Sequence, residues 1–94
     1  MAKPVPLQDK YLAWLKLMKA AHPQLALSDL AERIGVPRET LYRLFPKDGG
    51  PPQRPGVFTA VSLDRMEEAT GIPAPVILNA IYKGQVLPVI EKVG

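Results

Sequence analysis

The chain contains no cysteine. That excludes a disulfide framework and a thiolate metal site, and it suits a reducing compartment. There is a single histidine, His22. A lone imidazole next to a proline, at the end of a helical pattern, reads as a cap or surface residue rather than a catalytic base or metal ligand. No apolar run approaches the roughly 20 residues needed to span a bilayer. The first residues, Met1-Ala2-Lys3-Pro4-Val5-Pro6, lack the apolar stretch of a secretory leader. The expectation is therefore a cytoplasmic protein with no membrane partner. The sequence has no HExxH, no phosphate-binding P-loop, no nucleophile elbow and no cluster of acidic and basic side chains. Ser28 and Ser62 have no histidine nearby and read better as helix caps than as nucleophiles. Glu67 and Glu68 are neighbours, about 100° apart around a helix, so they read as a solvated face rather than a paired-carboxylate site. The sequence thus predicts no enzyme, no cofactor and no metal. It shows no internal repeat.

What is present is a chain of 94 residues, 47% hydrophobic, with a formal net charge of +3. The length suits one domain, and a chain of this size buries about two thirds of its unfolded surface. A mild positive excess suits an anionic partner. Residues 1–6 read as a loose arm in which Lys3 could reach a phosphate. From about Leu7 to Ala21 the pattern is helical. Tyr11, Trp14, Leu15 and Met18 follow i, i+3, i+4, i+7 spacing, with Lys10, Lys16 and Lys19 off that stripe. His22-Pro23 ends the helix, because a residue before proline is pushed out of the α region.

The run from Leu27 to Phe45 carries the most information. It reads as two short helices joined by a tight turn. Ser28 is the expected N-cap of the first, with Asp29 complementing its dipole. Ala31 supplies a small side chain where the second helix presses on the first. Gly35 supplies a turn residue that tolerates positive φ. Pro37 opens the second helix, where its missing N–H is no loss. Leu30, Ile34, Val36, Leu41 and Leu44 face inward, while Pro37, Arg38, Glu39, Tyr42 and Arg43 face outward. An ordinary αα-corner in a helical bundle shares part of this pattern. The whole pattern is the layout of a helix-turn-helix, whose second helix enters the DNA major groove.

Beyond Phe45, the stretch Lys47 to Gly56 is the one clear loop by composition. Its lysine, arginine and glycine amides suit either a DNA backbone grip or a solvated connector. A fourth helix starts near Phe58 or Ser62, turns Leu63, Met66 and Ala69 inward, and ends at Gly71. A fifth runs from Ala74-Pro75 through about Lys83, with Val76, Ile77, Ala80 and Ile81 apolar, and Gly84 ends it. The tail from Gln85 is apolar and β-branched. It could be a strand, a partner-binding arm or a flap over its own core.

Five short helices with this turn between the second and third resemble the lambda-repressor-like (Cro/repressor, or Xre-type) DNA-binding domains. The resemblance covers roughly residues 7 to 83. It rests on Ala31, Gly35, Val36, Leu41 and Leu44, on Leu63 to Ile72 as the fourth helix with its glycine exit, and on Ile77-Leu78. It implies an all-α, compact five-helix fold with the helix-turn-helix at helices 2–3. The DNA-binding domain would span residues 1–84, with a C-terminal tail at 85–94. It also implies a homodimer on double-stranded DNA, binding half-sites about one helical turn apart, with a recognition helix at about 37–45. The base-reading positions carry over to Pro37, Arg38, Glu39, Tyr42 and Arg43. Arg38 and Arg43 suit guanine, or phosphate as the plainer alternative. Glu39 suits a cytosine amino group, or a mere helix-dipole charge. Tyr42 suits a thymine methyl or a phosphate, or shields the core. Ser28, Arg33, Thr40, Lys47 and Arg54 are the DNA-backbone candidates. Many members carry glutamine where Leu27 and Arg38 stand here, which argues against adenine reading by that pair, and the Gly/Pro-rich loop is longer than usual. The expected function is a sequence-specific transcriptional regulator, a repressor, bacterial or phage-encoded and nucleoid-associated, with no room for a sensor domain. The alternative is a helical protein-interaction module, antitoxin-like or an adaptor. It would use the fold, or a tail arm of Val86, Leu87, Val89 and Ile90 that could equally make the dimer.

Overall fold

The computed structural model describes residues 6–47, 49–50 and 57–87. Five α-helices follow one another: α1 (Leu7–Ala21), α2 (Leu27–Ile34), α3 (Arg38–Leu44), α4 (Ala60–Thr70) and α5 (Ala74–Lys83). No strand occurs among the described residues. Helix α2 packs on α3 and α4, and α5 packs on α1 and α4.

The apolar stripe of α1 is the floor of the core. Tyr11, Trp14, Leu15 and Met18 are all buried, as i, i+3, i+4, i+7 spacing dictates. Onto them pack Leu30, Ala31 and Ile34 of α2, Leu41 and Leu44 of α3, Met66 of α4, and Ile77 and Ile81 of α5. His22 closes α1: its N–H donates to the Lys19 carbonyl at 3.2 Å, and its Nδ1 lies 2.9 Å from the Met18 carbonyl. Burial pushes the Tyr11 phenol up to about 12, because an apolar surrounding penalises the phenolate. The Phe58 ring lies 4.6 Å from that of Tyr11, centroid to centroid, and the Phe58 N–H donates to Gln8 Oε1 at 2.8 Å. Those contacts tie the start of α4 back to the start of α1.

Several helix ends differ from the sequence expectation. Ser28 is not the N-cap of α2. The helix starts at Leu27 after Ala26, with no side-chain cap. The Leu30 N–H already donates to the Ala26 carbonyl at 2.9 Å. Leu27, partly buried against the core, is drawn into the first turn by packing, and packing outweighs a cap worth about 1 kcal/mol. Helix α4 starts at Ala60, between the expected Phe58 and Ser62, with Thr59 as its N-cap and Ser62, read as a capping residue, as its partner. Thr59 accepts from the Ser62 N–H, and Ser62 Oγ accepts from the Thr59 N–H, at 3.4 and 3.3 Å, a reciprocal capping box. Glu67 is more than a solvated charge. Its carboxylate accepts the Ala74 N–H and so caps the first turn of α5, which Pro73 cannot do. Ala69, expected to face inward, is exposed, and so is the apolar Val76 of α5.

After α5 the chain folds back over its own core. The Gln85 carbonyl accepts the Trp14 indole N–H at 2.9 Å, the Gln85 N–H donates to the Ala80 carbonyl at 2.9 Å, and Leu87 packs partly buried against the core.

Candidate functional site

The turn between α2 and α3 is built around Ala31 and Gly35. The Gly35 and Val36 N–H groups both donate to the Ala31 carbonyl, at 2.9 and 3.0 Å. Gly35 takes φ +80°, a left-handed conformation that costs other L-residues about 1–2 kcal/mol. A second constraint sits on the same residue. A Cβ there would lie 2.5 Å from the Arg65 carbonyl oxygen, 2.8 Å from Ala69 Cβ and 2.9 Å from Met66 Cα. The turn therefore abuts the backbone of α4. Val36 is buried beside it, while Pro37, the N-cap of α3, is exposed. A groove lined by Gly35, Val36, Pro37, Arg65, Glu68 and Ala69 runs between the turn and α4.

Helix α3 is two-sided. Leu41 and Leu44 point into the core, and Thr40 is buried with them at 8% exposure. Arg38, Glu39, Tyr42 and Arg43 point out. The Phe45 N–H donates to the Leu41 carbonyl at 2.8 Å, and Pro46 then stops the helix. Arg43 Nη2 lies 4.0 Å from Glu39 Oε2, with the two side chains 49% and 82% exposed. A pair so open and so long holds only loosely. The Lys47 ammonium sits 5.9 Å from the Tyr42 ring centroid, within cation–π range, so Lys47 joins the same exposed side.

The sequence-predicted residues divide accordingly. Pro37, Arg38, Glu39, Tyr42, Arg43 and Lys47 are exposed on or beside α3. Thr40 is withdrawn from that surface, because the i, i+3, i+4 geometry that turns Leu41 and Leu44 inward carries Thr40 partway with them. On α2, Ser28 and Arg33 are half-buried. Arg33 Nη1 is fully enclosed and has no hydrogen-bond partner among the described residues, so only part of that guanidinium faces outward. Of the tail residues, Val86 is 43% exposed and Leu87 is packed down. Arg54, Val89 and Ile90 lie outside the described residues.

Two features went unseen in the sequence. The contact of Gly35 with α4 is a relation between distant segments with no local signal. The Glu67 cap has a faint one: an acidic residue seven positions before the first helical residue of a Pro-capped helix, across a glycine turn. Among the described residues no group of three or more His, Asp or Glu side chains could hold a metal ion. No described helix is long and apolar enough to cross a membrane. Set against known proteins, the chain matches no protein-family model, no curated protein and no solved structure.

Proposed function

We propose that this chain is a sequence-specific double-stranded DNA-binding protein of lambda-repressor-like architecture. It is a transcriptional regulator, acting as a repressor, with α2–turn–α3 as its helix-turn-helix and α3 in the major groove. The observation that carries the reading is the split of α3. One side, Leu41 and Leu44, is fixed to the core, and the other offers Arg38, Glu39, Tyr42 and Arg43 to solvent. An α-helix with its side chains is about 10–12 Å across, and the major groove, about 12 Å wide, admits it. Guanidinium groups on that face suit base edges and phosphates alike. Lys47, and the outward part of Arg33, suit the flanking phosphates. The site works without a cofactor, in the cytoplasm where the DNA is, and as a homodimer on two half-sites.

The test is fluorescence anisotropy of random-sequence duplex DNA with the full chain at two salt concentrations. Each phosphate neutralised should contribute about −0.9 to the slope of log affinity against log salt. Arg38→Ala and Arg43→Ala should weaken binding, and both side chains are exposed enough for the fold to survive. Binding that is absent, or indifferent to salt and to both substitutions, would sink the proposal.

A protein-interaction module is the second reading, and one observation favours it. Tyr82 and Val86 are 53% and 43% exposed, large apolar groups of the kind a protein partner covers. Under that reading, Tyr82→Ser would abolish capture of the partner, and Arg38→Ala would not.

A further inference from the structure

Taking the DNA-binding reading as its base, we infer that the duplex fitted by α3 is a G·C-rich half-site. Arg38 and Arg43 read guanines, and Glu39 reads a cytosine about two base pairs from the guanine of Arg43.

The exposed face of α3 limits which base edges it can read. From Pro37 to Phe45 there is neither asparagine nor glutamine, the two side chains that pair bidentately with adenine N6 and N7. Thr40, the one small hydroxyl on α3, is buried. What remains outward is two guanidinium groups, one carboxylate and one phenol. A guanidinium donates twice, to guanine O6 and N7. A carboxylate only accepts, and in the major groove cytosine offers a single donor, N4, with no acceptor beside it. A carboxylate set over guanine would face two acceptors and be repelled, so Glu39 also selects against the wrong base. Adenine presents an acceptor, N7, next to its donor, so it is a poorer match for a carboxylate than for an amide.

Spacing supplies the second part. Glu39 and Arg43 are one turn apart, joined by the loose 4.0 Å contact. Four residues of helix advance about 6 Å, and base pairs stack about 3.4 Å apart, so the two side chains reach pairs about two steps apart. Their i, i+4 spacing sets both on one exposed face of α3 before DNA arrives, and their contact only biases them there. That contact is weak enough to exchange for base edges, since both side chains are largely in water. Tyr42, between them along the chain, carries the Lys47 ammonium near its ring. That pairing presents a cation and a hydroxyl rather than a bare apolar face, and so favours phosphate over a thymine methyl. Pro37, at the start of α3, is the remaining apolar group that could meet a thymine methyl, at the edge of the site.

The test is selection of a random duplex library by the full chain, repeated with Glu39→Gln and with Arg43→Ala. Circular dichroism on each variant checks that the helices persist. The wild-type chain should enrich G·C-rich sites. Glu39→Gln should convert one selected cytosine to adenine and leave the other positions unchanged. The affinity of the wild-type site for that variant should fall about tenfold. Arg43→Ala should relax a guanine about two steps away. Enrichment of A·T-rich sites, or a Glu39→Gln variant that selects the same base as the wild type, would overturn the inference while leaving DNA binding intact. A wild-type chain that retains no duplex would instead overturn the DNA-binding reading itself, and this inference with it.

Discussion

Replacing Gly35 by alanine should cost the fold far more than the same change at Gly71, and the difference isolates one contact. Both glycines end a helix with positive φ, +80° at Gly35 and +73° at Gly71. Both substitutions therefore incur the left-handed penalty of about 1–2 kcal/mol. Both also reduce the entropy of the unfolded chain, a gain of about 0.4–1 kcal/mol that cancels between them. They differ in surroundings. Among the described residues a Cβ at Gly71 meets nothing within 4 Å, whereas at Gly35 it meets the Arg65 carbonyl oxygen at 2.5 Å and Met66 Cα at 2.9 Å. Those are backbone atoms of α4, which no side-chain rotation can move aside. Overpacking of that kind costs about 1–3 kcal/mol. Gly35→Ala should thus be about 1–3 kcal/mol worse than Gly71→Ala, out of a total stability on the order of 5–15 kcal/mol.

The assay is urea denaturation followed by tryptophan fluorescence. Trp14 is the only tryptophan, and it is 1% exposed, so its emission reports the core of the domain. At about 4–8 °C per kcal/mol for a domain of this size, thermal melts should separate the two variants by roughly 5–20 °C. Equal destabilisation at the two glycines would refute the reasoning, because it would mean that the turn does not abut α4.

Three further outcomes follow from particular contacts. Glu67→Ala removes the cap on the Ala74 N–H and should lower stability by about 1 kcal/mol, read as a shift of the urea midpoint. Removing residues 85–94 takes away the acceptor of the Trp14 indole N–H and the packing of Leu87. It should cost about 0.5–1.5 kcal/mol for the lost hydrogen bond and, by opening Trp14 to water, shift its emission to the red. Tyr11 is neutral when buried, and its folded value of about 12 lies above the ordinary 10.0. Its contribution is therefore complete below pH 10 and lost as pH rises from 10 towards 12. That loss amounts to roughly 2–3 kcal/mol, and Tyr11→Phe should flatten it in denaturation curves taken between pH 9 and 12.

What the sequence disclosed and what it concealed divide along a physical line. The stripe Tyr11, Trp14, Leu15 and Met18 was legible because a buried helix face repeats with the helix period. The ends of α1, α4 and α5 were legible because His22-Pro23, Gly71 and Gly84 punctuate the chain locally. The start of α2 was not, since Leu27 is placed by packing and a serine one position later mimics a cap. Thr40 carries no sign of its burial, because a hydroxyl at the margin of an apolar face suits either side. The contact between Gly35 and α4 joins segments 30 residues apart in sequence, and no local pattern encodes it. For the candidate site, the outward residues of α3 were legible by the same periodicity that revealed the core. Their ion pair and the Lys47–Tyr42 contact depend on rotamers, which periodicity does not fix.

The Gly35 contact also bears on function, because neither α2 nor α3 can stand alone. Helices of 8 and 7 residues fall well short of the roughly 12–15 needed for marginal stability in water. The direction in which Arg38, Glu39 and Arg43 point is therefore set by tertiary contacts: Leu41 and Leu44 in the core, and the turn against α4. On the proposed DNA-binding reading, a change at Gly35 should weaken binding without touching a single proposed DNA contact, by loosening the element that aims them. That effect can be told apart from the loss of a contact. Arg43→Ala should reduce affinity with little change in the urea midpoint, since its side chain is 49% exposed and its ion pair with Glu39 is loose. Gly35→Ala should reduce the midpoint and the affinity together, and a stabilising osmolyte should restore part of its affinity by favouring the compact packing of the turn on α4. If Gly35→Ala kept full affinity despite a lowered midpoint, the aim of α3 would have to come from its own core contacts alone, and α4 would have no part in presenting the site.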